Sequence, residues 1–245
     1  MRRRAAEFAR NVVRLLYPNL CLICDSPEGE VSTFRHGVCI TCHTAVTIDP
    51  FPTCHWCAQT VGPHTDTSDG CAECGGTARG FERAFRLGPY AGKLRDAVLR
   101  TKVLADEGLA DLLGRMFAEC RGEALRTSEF DLVAPIPLHW WRKWTRGYNQ
   151  AEAVARELAA GLNVAFAPKL LRRVKWTTQQ SQPTRASRRE NVRGAFAVAR
   201  GARLVGKTVL LVDDVMTTGS TLGEAARTLR AAGADRVIVA VLARR

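Results

Sequence analysis

Apolar residues recur along this chain in three ways, and each predicts a different kind of element. Over residues 5–17, Phe8, Val12, Leu15 and Leu16 share one stripe while Arg10 and Arg14 fall elsewhere. A short amphipathic helix is expected there, ended by Pro18. Its stripe suits docking on the protein's own body, and its arginines suit an acidic membrane surface. Residues 21–76 have little periodicity and many turn formers, too little apolar material to fold unaided. From residue 81, strand and helix patterns alternate. Residues 81–87, 132–136, 209–212 and 237–242 read as strands. Residues 94–104, 109–120, 150–162 and 222–232 have helical spacing. In the second of these, Leu109, Leu112, Leu113, Met116, Phe117 and Cys120 form one stripe, which makes Cys120 a core residue.

Strands separated by helices imply a parallel, three-layer α/β sheet, and such sheets bind ligands at the carboxyl ends of their strands. Three segments follow: a helix within 1–20, a cysteine-rich module over 21–80, and an α/β domain over 81–245. One stretch has no place in the alternation. Residues 175–193 carry Gln179, Gln180, Gln182, Arg185, Arg188, Arg189, Asn191 and Arg193 with almost no apolar residue, and read as a long mobile loop.

Charge sharpens this picture. The net charge is +12, yet residues 135–205 hold fourteen basic and three acidic groups, whereas residues 21–80 hold two and seven. Such a patch is either solvated surface or the footprint of a phosphate-rich ligand, small or polymeric. No apolar run approaches the ~18 residues of a membrane span. Arginines and Glu7 interrupt the N-terminal segment where a secretory hydrophobic region would lie, so a cytoplasmic protein is expected.

Eight of the nine cysteines form four CxxC pairs. Reducing compartments disfavour disulfides, and two residues between cysteines let both sulfurs reach one tetrahedral ion. Pairing in sequence order gives one site from Cys21, Cys24, Cys39 and Cys42 and another from Cys54, Cys57, Cys71 and Cys74, two zinc ribbons in tandem. A cross-braced pairing, first motif with third, is the alternative. Both sets are complete, so the metals are expected to be structural, with His36, His43, His55 and His64 as bystanders.

The strongest chemical signal is Val209-Leu-Leu-Val-Asp-Asp-Val-Met-Thr-Thr-Gly-Ser-Thr221. A doubly buried strand delivers Asp213 and Asp214 at its carboxyl end, followed by a hydroxyl-rich turn, Thr217, Thr218, Gly219, Ser220 and Thr221, that opens a helix. Backbone N–H groups, hydroxyls and the helix N-terminus there suit a phosphate. The carboxylates would repel that phosphate, but can accept from vicinal hydroxyls or hold Mg²⁺ through water. A ribose beside a 5′-phosphate satisfies both halves.

This segment resembles the motif by which type I phosphoribosyltransferases bind 5-phosphoribosyl-1-pyrophosphate (PRPP). The resemblance extends to Val133-Ala-Pro-Ile-Pro-Leu-His139, Arg146-Gly-Tyr-Asn-Gln150, Arg188-Arg-Glu-Asn-Val-Arg-Gly-Ala-Phe196 and the tandem CxxC motifs. In that order they are similar to the ComF family of competence-associated phosphoribosyltransferase-like proteins, over nearly the whole chain. The resemblance implies a type I phosphoribosyltransferase-like parallel sheet with helices on both faces, preceded by a small double zinc ribbon. It places Asp213 and Asp214 on the ribose as the catalytic pair and Thr217–Thr221 on the 5′-phosphate. It places Arg142, Lys143 and Arg146 on pyrophosphate, with Mg²⁺ accompanying PRPP. Trp140, Trp141 and Trp144 interleave with those cations, either as core or as stacking platforms for bases. The 175–193 loop would close over PRPP or lie along DNA. The family's biology implies handling of single-stranded DNA in DNA uptake during natural transformation, beside a helicase-like partner and with peripheral contact at the inner face of the membrane. The other function implied is an active phosphoribosyltransferase that replaces pyrophosphate at C1 of PRPP with a nitrogen nucleophile.

Overall fold

The computed structural model describes residues 20–27, 34–75, 79–103, 106–138, 147–175 and 185–245. The expected N-terminal helix lies outside these residues, as do His139 to Arg146 with their tryptophans and cations, and Gln179, Gln180 and Gln182.

The cysteine-rich segment contributes a small hairpin, β1 (Phe34–Arg35) and β2 (Val38–Cys39), and the helix α1 (Ile40–Thr47). The α/β part runs β3 (Arg83–Pro89), α2 (Gly92–Val103), α3 (Glu107–Arg126), β4 (Leu132–Pro135), α4 (Gln150–Leu162) and β5 (Ala165–Phe166). It continues through β6 (Leu171–Arg173), α5 (Arg185–Val192), β7 (Phe196–Val198), β8 (Thr208–Met216), α6 (Ser220–Ala231) and β9 (Arg236–Arg244). Five strands form one sheet in the order β3-β9-β8-β4-β5, every pair parallel. β6 and β7 form a separate antiparallel pair.

The sheet is central because β8 and β9 are apolar on both faces. Leu210, Val212, Ile238, Ala240 and Leu242 join one core, with α2, α3 and α4. Val209, Leu211, Val237, Val239 and Val241 join the other, with Leu222, Ala225, Ala226 and Leu229 of α6. This is the expected sheet with helices on both faces. Local chemistry sets the helix ends. Asp106 Oδ1 accepts from Leu109 N at 2.9 Å and starts α3, and buried Leu125 extends its stripe beyond residue 120. Asn149 caps α4, and Asn163 ends it in the left-handed region at φ 57°. Cys120 is half-buried against the α3 core.

Two expectations need correction. The strand expected over 209–212 runs to Met216, so Asp213 and Asp214 lie within β8, where Asp213 stands in register with Val241. The expected 175–193 loop is helical over Arg185–Val192, as α5. Val192 is buried in the core with α6, and Gly194 N donates to Glu224 Oε1 at 2.7 Å, so tertiary docking holds a helix that its own polarity does not announce.

The cysteine-rich segment packs along the open edge of β3. Ala84 N on that edge donates to His55 O at 3.2 Å. Arg86 of β3 turns into this contact: its Nε lies 2.7 Å from Asp49 Oδ2, with both side chains at least 96% buried, and its Nη1 donates to Ala58 O. Arg100 of α2 reaches Asp25 and Ile23 O. Cys21, Cys39, Cys42 and Val46 belong to the same core as α2 and α3. The division at 80/81 separates two sequence patterns, while packing is continuous across it. Among the described residues, no helix is long and apolar enough to cross a membrane.

Candidate functional site

At the carboxyl end of β8 the backbone passes from Asp213 and Asp214 into the 217–221 turn. Both carboxylates are half-buried. Asp214 N donates to Asp213 Oδ1 at 2.9 Å, and Val215 N donates to Asp214 Oδ1 at 2.6 Å. Burial, and then the neighbouring charge of Asp214, push the Asp213 carboxyl up to about 8 against an ordinary 3.8, and the charges of Lys102 and Arg173 pull it back only partly. In the turn, Gly219 takes φ 74°, a left-handed conformation that glycine adopts at little cost. As the N-cap of α6, Gly219 brings no side chain to the helix start. Thr218 Oγ1 and Ser220 Oγ are 2.8 Å apart, and Ser220 N points at Thr218 Oγ1. Hydroxyls and helix N–H groups thus converge on one side of a strand end, and a carboxylate pair stands on the strand itself.

The sequence gives no sign of Lys102. It lies in the last turn of α2 and places Nζ 2.8 Å from Asp214 Oδ2. Its placement explains the Tyr148-Asn149-Gln150 motif. Tyr148 donates its hydroxyl hydrogen toward Thr101 O at 2.7 Å and Asp106 O at 3.1 Å, and Gln150 Nε2 donates to Thr101 O. Asn149 Nδ2 donates to Ile136 O at the end of β4. These buried side chains moor the last turn of α2 and so hold Lys102 against the carboxylates. Burial raises the Tyr148 hydroxyl to about 12, so it stays a neutral donor. A lysine in the last turn of a helix preceding the motif strand is a faint signal, visible only once α2 is folded onto β8.

The eight CxxC cysteines gather into the two tetrads paired in sequence order, which excludes the cross-braced alternative. Within each tetrad all ligand sulfurs lie within 4.8 Å of one another. Observed separations are 3.8 Å for Cys24–Cys39, 3.7 Å for Cys54–Cys74 and 3.6 Å for Cys57–Cys71. A metal–sulfur length of about 2.3 Å in tetrahedral geometry puts sulfurs about 3.8 Å apart, so both tetrads fit such an ion. Backbone N–H groups of Cys39, Cys42 and Cys71 point at the sulfurs of Cys21, Cys39 and Cys74. Burial pushes the Cys42 and Cys57 thiols well up, a cost that a bound cation removes. No histidine joins either tetrad among the described residues.

With this geometry in place, similarity to known proteins decides the family. Residues 144–245 match the phosphoribosyl transferase domain family. Competence protein F of Haemophilus influenzae is 30% identical over 228 residues, 91% of this chain and 96% of that protein. The chain belongs to the ComF family. DNA utilization protein YhgH of Escherichia coli K12 is 28% identical, over 94% of this chain and 99% of its own length. Competence protein ComFC of Bacillus subtilis is 24% identical, over 86% and 88%. ComF membership thus spans both the cysteine tetrads and the sheet.

Proposed function

We propose that this ComF-family chain binds PRPP with Mg²⁺ at the carboxyl end of β8 and handles single-stranded DNA during uptake. The observation that carries the first part is the placement of Asp213 and Asp214 directly before the Thr217–Thr221 turn. One ligand, a ribose 5-phosphate, carries both hydroxyls and a phosphate, and each half of the site suits one of them. Arg142, Lys143 and Arg146 would hold the pyrophosphate, following β4 as a second strand end. When bound, Mg²⁺ would neutralise the pyrophosphate. Asp213 and Asp214 would orient the ribose, and Lys102 would keep their charge balanced until ligand arrives. Calorimetric titration with PRPP and Mg²⁺ tests this part directly.

Zinc is the ion that best fits both sulfur tetrads, in closed structural sites. Purified protein should contain about two zinc ions per chain by elemental analysis, and one or none would overturn the double-ribbon assignment.

The DNA part rests on the charge excess over residues 135–205 and on the names of the relatives, two of which are competence proteins. Cytoplasmic location, a helicase-like partner and peripheral contact at the inner face of the membrane belong to the same proposal. Single-stranded DNA should bind with an affinity that falls steeply with salt. Replacing Arg185, Arg188 and Arg189 with alanine should weaken binding and flatten the salt slope in proportion to the phosphates no longer neutralised. Filter binding of a labelled oligonucleotide at several salt concentrations measures both. Salt-insensitive or absent binding in the wild type would remove the physical basis for DNA handling.

The raised carboxyl of Asp213 favours a second reading, phosphoribosyl transfer. Above about pH 8 the ionised carboxylate can take the proton shed by a nitrogen nucleophile as C1–N forms and the C1–pyrophosphate bond breaks. Pyrophosphate release across a panel of nucleobases distinguishes turnover from binding.

A further inference from the structure

The tetrad of Cys54, Cys57, Cys71 and Cys74 and the phosphate turn are joined by two arginines. Arg79 Nη2 donates to Glu73 O at 3.1 Å, between two metal-ligand cysteines, and its Nη1 donates to Thr218 O at 3.3 Å, 139 residues away. Arg244 repeats the arrangement from β9: Nε donates to Cys57 O at 3.1 Å and Nη1 to Met216 O at 3.2 Å. Each guanidinium therefore spans one cysteine knuckle and one side of Thr217. The planar fork of arginine is suited to hold two carbonyls at a fixed separation.

Contact between the backbones is equally close. A Cβ placed on Gly223, in the first turn of α6, would lie 2.6 Å from the Arg79 carbonyl oxygen, and one on Gly80 would lie 2.8 Å from the Gly223 carbonyl. Gly219 faces Arg79 Nη1 at 3.2 Å by the same measure. Arg79 and Gly80 thus lie against the turn and the start of α6. A displacement of the knuckle must move the turn or break these bonds.

We propose that Arg79 and Arg244 are positioning residues that make metal binding at this tetrad and phosphate binding at the 217–221 turn cooperative. Metal fixes the Cys57 and Glu73 carbonyls. The guanidiniums pass that order to Met216 and Thr218, and the N–H groups of the turn are thereby held ready for an anion. Linkage makes the effect mutual: a ligand on the turn must retain the metal. The identity of the ligand rests on the PRPP reading, whereas the brace itself does not.

Two measurements on zinc-loaded full-length protein test the proposal. The first is amide hydrogen exchange over residues 216–221 without ligand. Arg79→Ala should speed exchange there about tenfold or more, and Arg79→Lys should not restore it, because one ammonium cannot span both carbonyls. Gly223→Ala, which forces the Arg79 segment away from α6, should loosen the same amides and serves if Arg79→Ala does not fold. The second is zinc release to a chromogenic chelator. PRPP with Mg²⁺ should slow the loss of one of two zinc ions in the wild type by roughly 5- to 150-fold, and should have no such effect in Arg79→Ala. Unchanged exchange in both variants overturns the brace. So does PRPP that binds the wild type without protecting zinc. A turn that loosens in Arg79→Ala while PRPP binds neither protein supports the brace and refutes the PRPP reading.

Discussion

Replacing Asp213 with asparagine is expected to abolish PRPP binding and to raise the melting temperature of the unliganded protein. The two effects share one cause. Asp213 stands beside Asp214 in a half-buried strand end, and burial with like charge lifts its carboxyl from 3.8 to about 8. Below about pH 4 folded and unfolded chains both carry the proton, and the site costs nothing. Between that point and about pH 8 the unfolded chain loses the proton while the folded chain keeps it, so stability falls as pH rises. Asparagine removes this penalty, and in place of one of the two carboxylate oxygens proposed to accept from the ribose it presents an NH₂ donor. The stabilisation should therefore be small at pH 4–5 and largest near pH 8, at roughly 2–4 °C for each kcal/mol recovered in a chain of this size. Thermal melts of both proteins without Mg²⁺ across that range, paired with calorimetry, check it. A variant that melts lower than wild type at pH 8 would refute the account of the carboxylate pair.

Arg86→Ala should be among the most damaging single substitutions away from the cysteines. It leaves Asp49 charged in a contact where both side chains are almost fully enclosed. Removing one partner of such a pair costs about 3–5 kcal/mol, on the order of 10 °C in melting temperature. The double variant Arg86→Ala with Asp49→Ala should lose less than the two single changes together. Because the pair joins the cysteine-rich segment to β3, unfolding in urea should remain one transition. Two separated transitions would show that the segment and the sheet unfold independently.

How much of this could be read from the sequence depends on the range of the interactions involved. β8 and β9 announce themselves because four or more consecutive apolar residues suit little other than a doubly covered strand. The tetrads were legible because each half is local, two cysteines with two residues between them. The hydroxyl turn was legible for the same reason. What escaped was set by partners far along the chain. Arg86 sits in a strand pattern where alternation assigns it to solvent, and only Asp49 and the Ala58 carbonyl make its burial tolerable. Arg244 depends on a carbonyl 187 residues away. Lys102 lies in the last turn of an ordinary amphipathic helix. α5 buries Val192 and owes its helical state to α6. Hydropathy assigns cations to the surface, so it misses all the basic residues that this fold uses as internal struts.

The placement of β3 has a consequence for how the protein behaves in solution. A parallel sheet leaves two rims of unpaired backbone. Here one rim is the two-residue β5, too short to recruit another chain. The other is the seven-residue β3, whose free side meets the cysteine-rich segment through the Ala84–His55 bond. If metal at the tetrads holds this segment, as proposed, its loss would uncover a long, largely apolar strand with unsatisfied amides, the kind of template on which identical chains add to one another. Metal supply would then govern the solubility of the protein before it governed any activity. The knuckles proposed to brace the 217–221 turn would also act as a guard against self-assembly.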